Sequence, residues 1–128
     1  MAIHSLTIGI DGSDIIQTKT ISTTDGGVVL LDAETVIVAE NKQLAFSLDV
    51  SQVASFYLES SLAVLIETNS GSSPDDTLNL IANEPYIWHT NSLDTFKFAS
   101  ADITSLFVTN AAGATATLYC AVLYDPAL

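Results

Sequence analysis

His4 and His89 are the only side chains of this 128-residue sequence that could serve as bases near neutral pH without help from their surroundings. A Ser-His-carboxylate triad would need one of them brought beside a serine and an acid, and no GxSxG-like elbow accompanies either. His89 follows Tyr86-Ile87-Trp88 and reads as a strand residue. No catalytic residue is assigned, and the protein is expected not to be an enzyme. A hydrolase would have to lose its activity on His89→Ala.

Metal chemistry is equally thin. Zinc or iron needs several His or Cys ligands, whereas the two histidines are far apart in sequence and Cys120 is the single cysteine. Cys120 sits in the apolar run YCAVLY at 119–124 with no basic neighbour to stabilise a thiolate, so a buried structural thiol is expected. The loop TNSGSSPDDT at 68–77 offers Asn69, Asp75 and Asp76 as hard oxygen ligands for calcium. It lacks the alternating acidic spacing of an EF-hand and reads as a solvated turn. Gly26-Gly27 leads into a strand rather than a helix, which argues against a phosphate cradle. Neither a metal site nor a cofactor is assigned.

Charge narrows the range of partners. Fifteen acidic residues face three lysines, Lys19, Lys42 and Lys97, with no arginine, for a net charge of −12. No nucleic-acid partner is expected, because affinity for phosphates comes from clustered Lys and Arg. Only 14% of residues are charged while 48% are hydrophobic, so the chain folds. A mean hydropathy of +0.42 is high for a small domain and implies apolar surface covered by another chain. The opening MAIHSLTIGIDGSD lacks a basic n-region and a long apolar h-region, so it does not read as a signal peptide. The apolar runs are far shorter than the roughly 20 residues of a membrane helix, and no membrane partner is expected.

The elements that would carry any function are strands. Short β-branched and aromatic segments recur between turn-forming clusters, at 3–10, 15–22, 27–31, 35–40, 43–48, 54–60, 62–69, 77–82, 85–90, 104–110 and 115–124. Asp11-Gly12, Asp25-Gly26-Gly27, Gly71 with Pro74, and Ala112-Gly113 supply the turns. A helical turn is expected only in DVSQVA at 49–54, capped by Asp49 or Ser51. The fold class is therefore all-β, an antiparallel β-sandwich of which the jelly roll is one form, with negligible helix. The length fits a single domain over 1–128, with residues 1–25 either core strands or an extended arm.

Within it the chain repeats itself at an offset of fifty. Ser55-Phe56-Tyr57-Leu58 matches Ser105-Leu106-Phe107-Val108, and each leads through a turn into an apolar strand, LAVLIET at 62–68 and TLYCAVLY at 117–124. Two similar hairpins, one in each sheet, are expected from this, although sandwich hairpins also converge on such patterns. With Phe56, Leu58, Leu106 and Val108 inward, period-two geometry turns Tyr57 and Phe107 outward. These two aromatics are the interface candidates, against the alternative that each packs under a loop.

The stretches LDVSQVASFYLES, VLIETNSGSSPDDTLNLIANEPYIWH and DITSLFVTNAAGATATLYCAVLYDP resemble small head decoration, or cement, proteins of tailed bacteriophages over roughly residues 44–126. The resemblance implies a non-enzymatic β-sandwich on the outer capsid surface of the virion, made in the host cytoplasm. It also implies a homotrimer at local threefold positions, with the major capsid protein as partner. A carbohydrate-binding or host-adhesion module is the second reading, since β-sandwiches commonly present aromatics to sugars, with Trp88 and Tyr86 as its candidates.

Overall fold

The computed structural model describes residues 2–9, 16–23 and 26–128. Their β-branched and aromatic segments form ten strands: β1 (Ala2–Gly9), β2 (Ile16–Thr23), β3 (Gly27–Val36), β4 (Asn41–Leu48), β5 (Val53–Ser60), β6 (Val64–Thr68), β7 (Thr77–Leu80), β8 (Tyr86–His89), β9 (Ile103–Thr109) and β10 (Ala116–Tyr124). The one helical element among the described residues is a 3₁₀ turn, Val50–Gln52, in the expected place. The Asp49 carboxylate caps it by accepting the Ser51 N–H at 3.0 Å. The expected Asp11-Gly12 turn, and Asp25 of the next one, lie outside the described residues.

Strands β3 to β10 make two four-stranded antiparallel sheets, ordered β3-β10-β5-β8 and β4-β9-β6-β7. The pairs β6-β7, β5-β8, β4-β9 and β3-β10 are nested, as though one long hairpin had been wound around itself. Further pairing of β5 with β10 and of β6 with β9 closes each sheet. Eight strands wound in this way are a jelly roll, one form of the expected sandwich. Between the sheets lies a core of alternate residues, including Phe56, Leu58, Ile66, Leu106, Val108 and Val122. Burying each such side chain stabilises the fold by about 1.5–3 kcal/mol.

Two local expectations are corrected. Separate strands at 27–31 and 35–40 are in fact one strand that continues to Val36 through a β-bulge. Asp32 and Ala33 lie between residues paired with Cys120 and Leu118, and Ala33 adopts a φ of 52°. Residues 37–40 then turn the chain, with the Glu40 N–H donating to the Ile37 carbonyl at 3.2 Å. The repeated units are likewise not hairpins. β5 returns as β6 in the opposite sheet, β9 returns as β10 in the opposite sheet, and the partners are exchanged.

Equivalent polar residues, fifty positions apart, form the corners that make these crossings. Ser60 and Asn110 are both fully buried. The Ser60 carbonyl accepts the Asn83 N–H at 2.8 Å, while the Asn110 amide donates to the Val36 and Ala114 carbonyls at 2.8 Å each. Buried polar groups at a bend must be satisfied in this way, or the bend would be costly. The Asp residues that precede the repeated strands also meet, because the Asp102 carboxylate accepts the Val50 N–H at 3.0 Å beside the turn that Asp49 caps.

Strands β1 and β2 pair only with each other in an antiparallel ribbon, which lies on the outer face of β3-β10-β5-β8. A hydrogen bond between His4 Nδ1 and Ser55 Oγ ties it there.

Candidate functional site

The outer face of β3-β10-β5-β8 is built from the residues left over when β3, β5 and β10 turn Val29, Leu31, Phe56, Leu58, Cys120 and Val122 inward. Register aligns the remainder into rows running across all four strands. One row is Leu30, Ala121, Tyr57 and Ile87; its neighbour is Val28, Leu123, Ser55 and His89. A third begins with Tyr119 beside Glu59. Leu30 is 64% exposed, Tyr119 43% and Val28 42%, whereas Leu123 is fully buried although it points away from the inner core. The β1-β2 ribbon therefore shields one end of an apolar face and leaves the other open.

Tyr57 occupies the middle of this face, half-buried, as alternation predicts. Its hydroxyl donates to the Glu59 carboxylate. That bond, with some burial and the nearby negative charge, pushes the phenol up to about 12. Phe107 also lies on an outer face, but on that of the other sheet. Its row is Gln43, Phe107, Glu67 and Thr77, and the loop after β6 lies across it. Gly71 sits so close that a Cβ there would approach Phe107 Cδ1 to 3.1 Å. The two interface candidates thus stand on opposite sides of the molecule, one on an apolar face and one under a loop.

Trp88 and Tyr86 belong to an aromatic cluster. Trp88 lies 4.9 Å from the Phe96 ring and its Nε1 donates to the Asp94 carbonyl at 2.9 Å. Tyr86 contacts Phe56, Phe96 and Phe98, and its hydroxyl accepts the Lys97 N–H at 3.0 Å. Both rings are half-buried and committed to packing.

The oxygens of the 68–77 loop are engaged by the protein itself. Asn69 Oδ1 accepts the Thr104 N–H at 2.7 Å, and Asp75 Oδ2 accepts from Asn69 Nδ2 at 2.7 Å. Asp76 accepts from both the N–H and the hydroxyl of Ser100. Among the described residues no three His, Cys, Asp or Glu side chains converge as a metal ion would require. Cys120 is buried, and burial pushes its thiol up to about 12, where it is inert at neutral pH.

Sequence reasoning missed the meeting of the two histidines. Ser55 and His89 stand directly opposite each other in β5 and β8, and His4 reaches Ser55 from the ribbon. Burial lowers the pKa of His4. The sequence carries no local signal for this contact, because it depends on where a separate pair of strands settles.

No family model matches the chain, and no curated protein matches it either. A de novo designed double-stranded β-helix, solved by NMR in solution, aligns with 78% of this chain and 99% of its own at 11% identity and a TM-score of 0.30.

Proposed function

We propose that the protein is a non-enzymatic assembly module, a decoration protein of a tailed-phage head. In this reading its homotrimer is built on the open end of the β3-β10-β5-β8 face. The observation that carries the proposal is the exposed apolar patch of Val28, Leu30 and Tyr119, where the row of Ala121 and Tyr57 emerges from beneath the ribbon. Isolated exposed apolar residues are ordinary, but three large ones side by side on β3 and β10 support a covered surface. A second copy of this chain is the occupant that fits. A net charge of −12 per chain opposes close approach of copies except through apolar contacts with the carboxylates at the rim, and the exposed side chains Val28, Leu30 and Tyr119, bordered by Asp32 and Glu59, form such a patch. Three copies then attach to the head through individually weak contacts multiplied by effective concentration. The resemblance of residues 44–126 to decoration proteins supports the choice of the head as the larger partner.

Light scattering of the isolated protein should give a trimer, and the protein should pellet with purified heads of the phage that encodes it. A monomer that stays in the supernatant would overturn this reading. The sugar-binding alternative loses support from the packing of Trp88 and Tyr86 into the Phe56-Phe96-Phe98 cluster.

A further inference from the structure

Beneath the β1-β2 ribbon lies a cavity of about 290 Å³. Ile3, Leu6 and Ile21 wall it from the ribbon, and Tyr57, Ile87 and Ala121 wall it from the sheet. Both histidines of the chain, together with Ser55, reach this largely apolar space. Ser55 holds His4 Nδ1. The Nδ1 of His89 accepts the Asn91 N–H at 3.1 Å, which places the ring proton on Nε2 and makes that nitrogen a donor. An apolar pocket with a few convergent polar groups is the usual make-up of a small-molecule site, and this one, half open to solvent, is at the small end of that range.

We propose that the cavity binds a small uncharged molecule with an apolar body and one oxygen acceptor, such as an aryl ketone. Size sets the body: at roughly 30 Å³ for each water-sized group, the space holds about ten non-hydrogen atoms. The donor on His89 calls for an acceptor on the ligand. An ionic head is disfavoured, because among the described residues the wall contains no Lys, Arg, Asp or Glu to pair with it. The cavity lies within one chain, but Tyr57, Ile87 and Ala121 also belong to the row that runs out to the face proposed for assembly, so binding is read by titration and not by oligomeric state.

The two histidines make the test direct, since the only imidazole proton resonances of the protein come from the cavity wall. Acetophenone titrated into the full chain should shift both signals saturably, with half-saturation in the millimolar range or below, about −4 kcal/mol or better. Benzoate, which keeps the ring and adds a charge, should bind at least about tenfold more weakly, a difference of about 1.4 kcal/mol. Ala121→Phe, filling the space from β10, and Ile87→Trp, filling it from β8, should each abolish saturable binding of acetophenone while the amide spectrum stays dispersed. Shifts that remain linear through about 10 mM acetophenone, some tenfold above the expected half-saturation, would overturn the proposal. So would benzoate binding as tightly as the ketone, or a folded filled variant that still binds. If one filled variant fails to fold, the other and the ketone-to-benzoate ratio still decide.

Discussion

The two outer faces of the sandwich are made by strands of the same kind and finished in opposite ways. On β4-β9-β6-β7 the rows read Gln43, Phe107, Glu67, Thr77 and Asn41, Thr109, Leu65, Asn79, so apolar residues are diluted by amides, hydroxyls and a carboxylate. The single aromatic there lies beneath the loop that carries Gly71. On β3-β10-β5-β8 the row Leu30, Ala121, Tyr57 and Ile87 has no amide or carboxylate and its neighbour begins with Val28 and Leu123, while only part of that face lies under the ribbon. The first face is complete within one chain. The second leaves side chains such as Leu30 and Tyr119 in water, and burying them is what a partner would contribute.

The sharpest way to break this contrast is to charge the open face. Leu30→Asp combined with Tyr119→Asp should raise the dissociation constant of the proposed trimer by about a hundredfold or more, because apolar anchors of an interface each contribute on the order of 2 kcal/mol or above. Gln43→Asp combined with Asn79→Asp, on the other sheet, adds the same charge and should leave the trimer intact. Sedimentation velocity across a dilution series measures both. Equal loss in the two variants would mean that net charge, not this face, governs association.

Next in size is the separation of the two aromatics. Phe107→Ser should cost about 1–2 kcal/mol of folding stability, read by urea unfolding, since it removes a half-buried ring under a loop. Assembly of the folded fraction should be unchanged. Tyr57→Ser should do the reverse, weakening assembly with less than about 1 kcal/mol of stability lost. A Phe107→Ser variant that dissociates without destabilisation would return Phe107 to the interface.

Acid should act on the ribbon alone. Burial holds the pKa of His4 below its ordinary value, so the docked ribbon binds a proton less readily than the released one. Docking is therefore fully stabilised above the ordinary histidine range, near pH 6.5, and weakens as pH falls below it towards the lowered value. Ser55 and Tyr57 from β5 and His89 from β8 line the cavity with His4, and among the described residues that lining contains no carboxylate to stabilise the imidazolium. Amide hydrogen exchange in β1 and β2 should accelerate between about pH 7 and 5 beyond its intrinsic dependence, while β9 stays protected. Equal opening of β9 would show that acid loosens the whole sandwich.

The fold was largely legible because its strands alternate and its breaks fall at turn residues. Phe56 and Leu58 inward with Tyr57 outward is period two and nothing more. The bulge was hidden because Asp32-Ala33-Glu34 looks like a turn between two strands; only the partner strand β10 shows that pairing resumes beyond it. The repeat was visible and its meaning was not, since Ser60 and Asn110 end their strands in the same way whether the chain turns back in its own sheet or crosses to the other. The open face escaped notice for a related reason. Its rows join residues from four strands distant in sequence, and no window along the chain contains Leu30, Ala121, Tyr57 and Ile87 together.

The smallest expected effect lies at the centre of that face. Tyr57 and Glu59 are two residues apart on one strand, so both point outward, and the phenol donates to the carboxylate. Deprotonating Tyr57 would lose this bond and set two negative charges side by side, which is why the phenol is pushed up to about 12. The folded-state value is raised, so the contribution to stability is fully present below the ordinary tyrosine range near 10 and fades as pH rises towards 12. At neutral pH, Tyr57→Phe keeps the ring that the apolar row requires and removes one part-buried hydrogen bond. It should therefore change stability by less than about 0.5 kcal/mol and leave the trimer intact. Subtracting the ultraviolet titration of Tyr57→Phe from that of the wild type isolates this one phenol among four tyrosines. Its midpoint should fall towards 10 in Glu59→Gln, where the neutral amide can still accept the bond but no longer repels the phenolate. A Tyr57→Phe variant that no longer assembles would move the recognition from the apolar row to the hydroxyl, and the contrast between the two faces would then rest on one hydrogen bond.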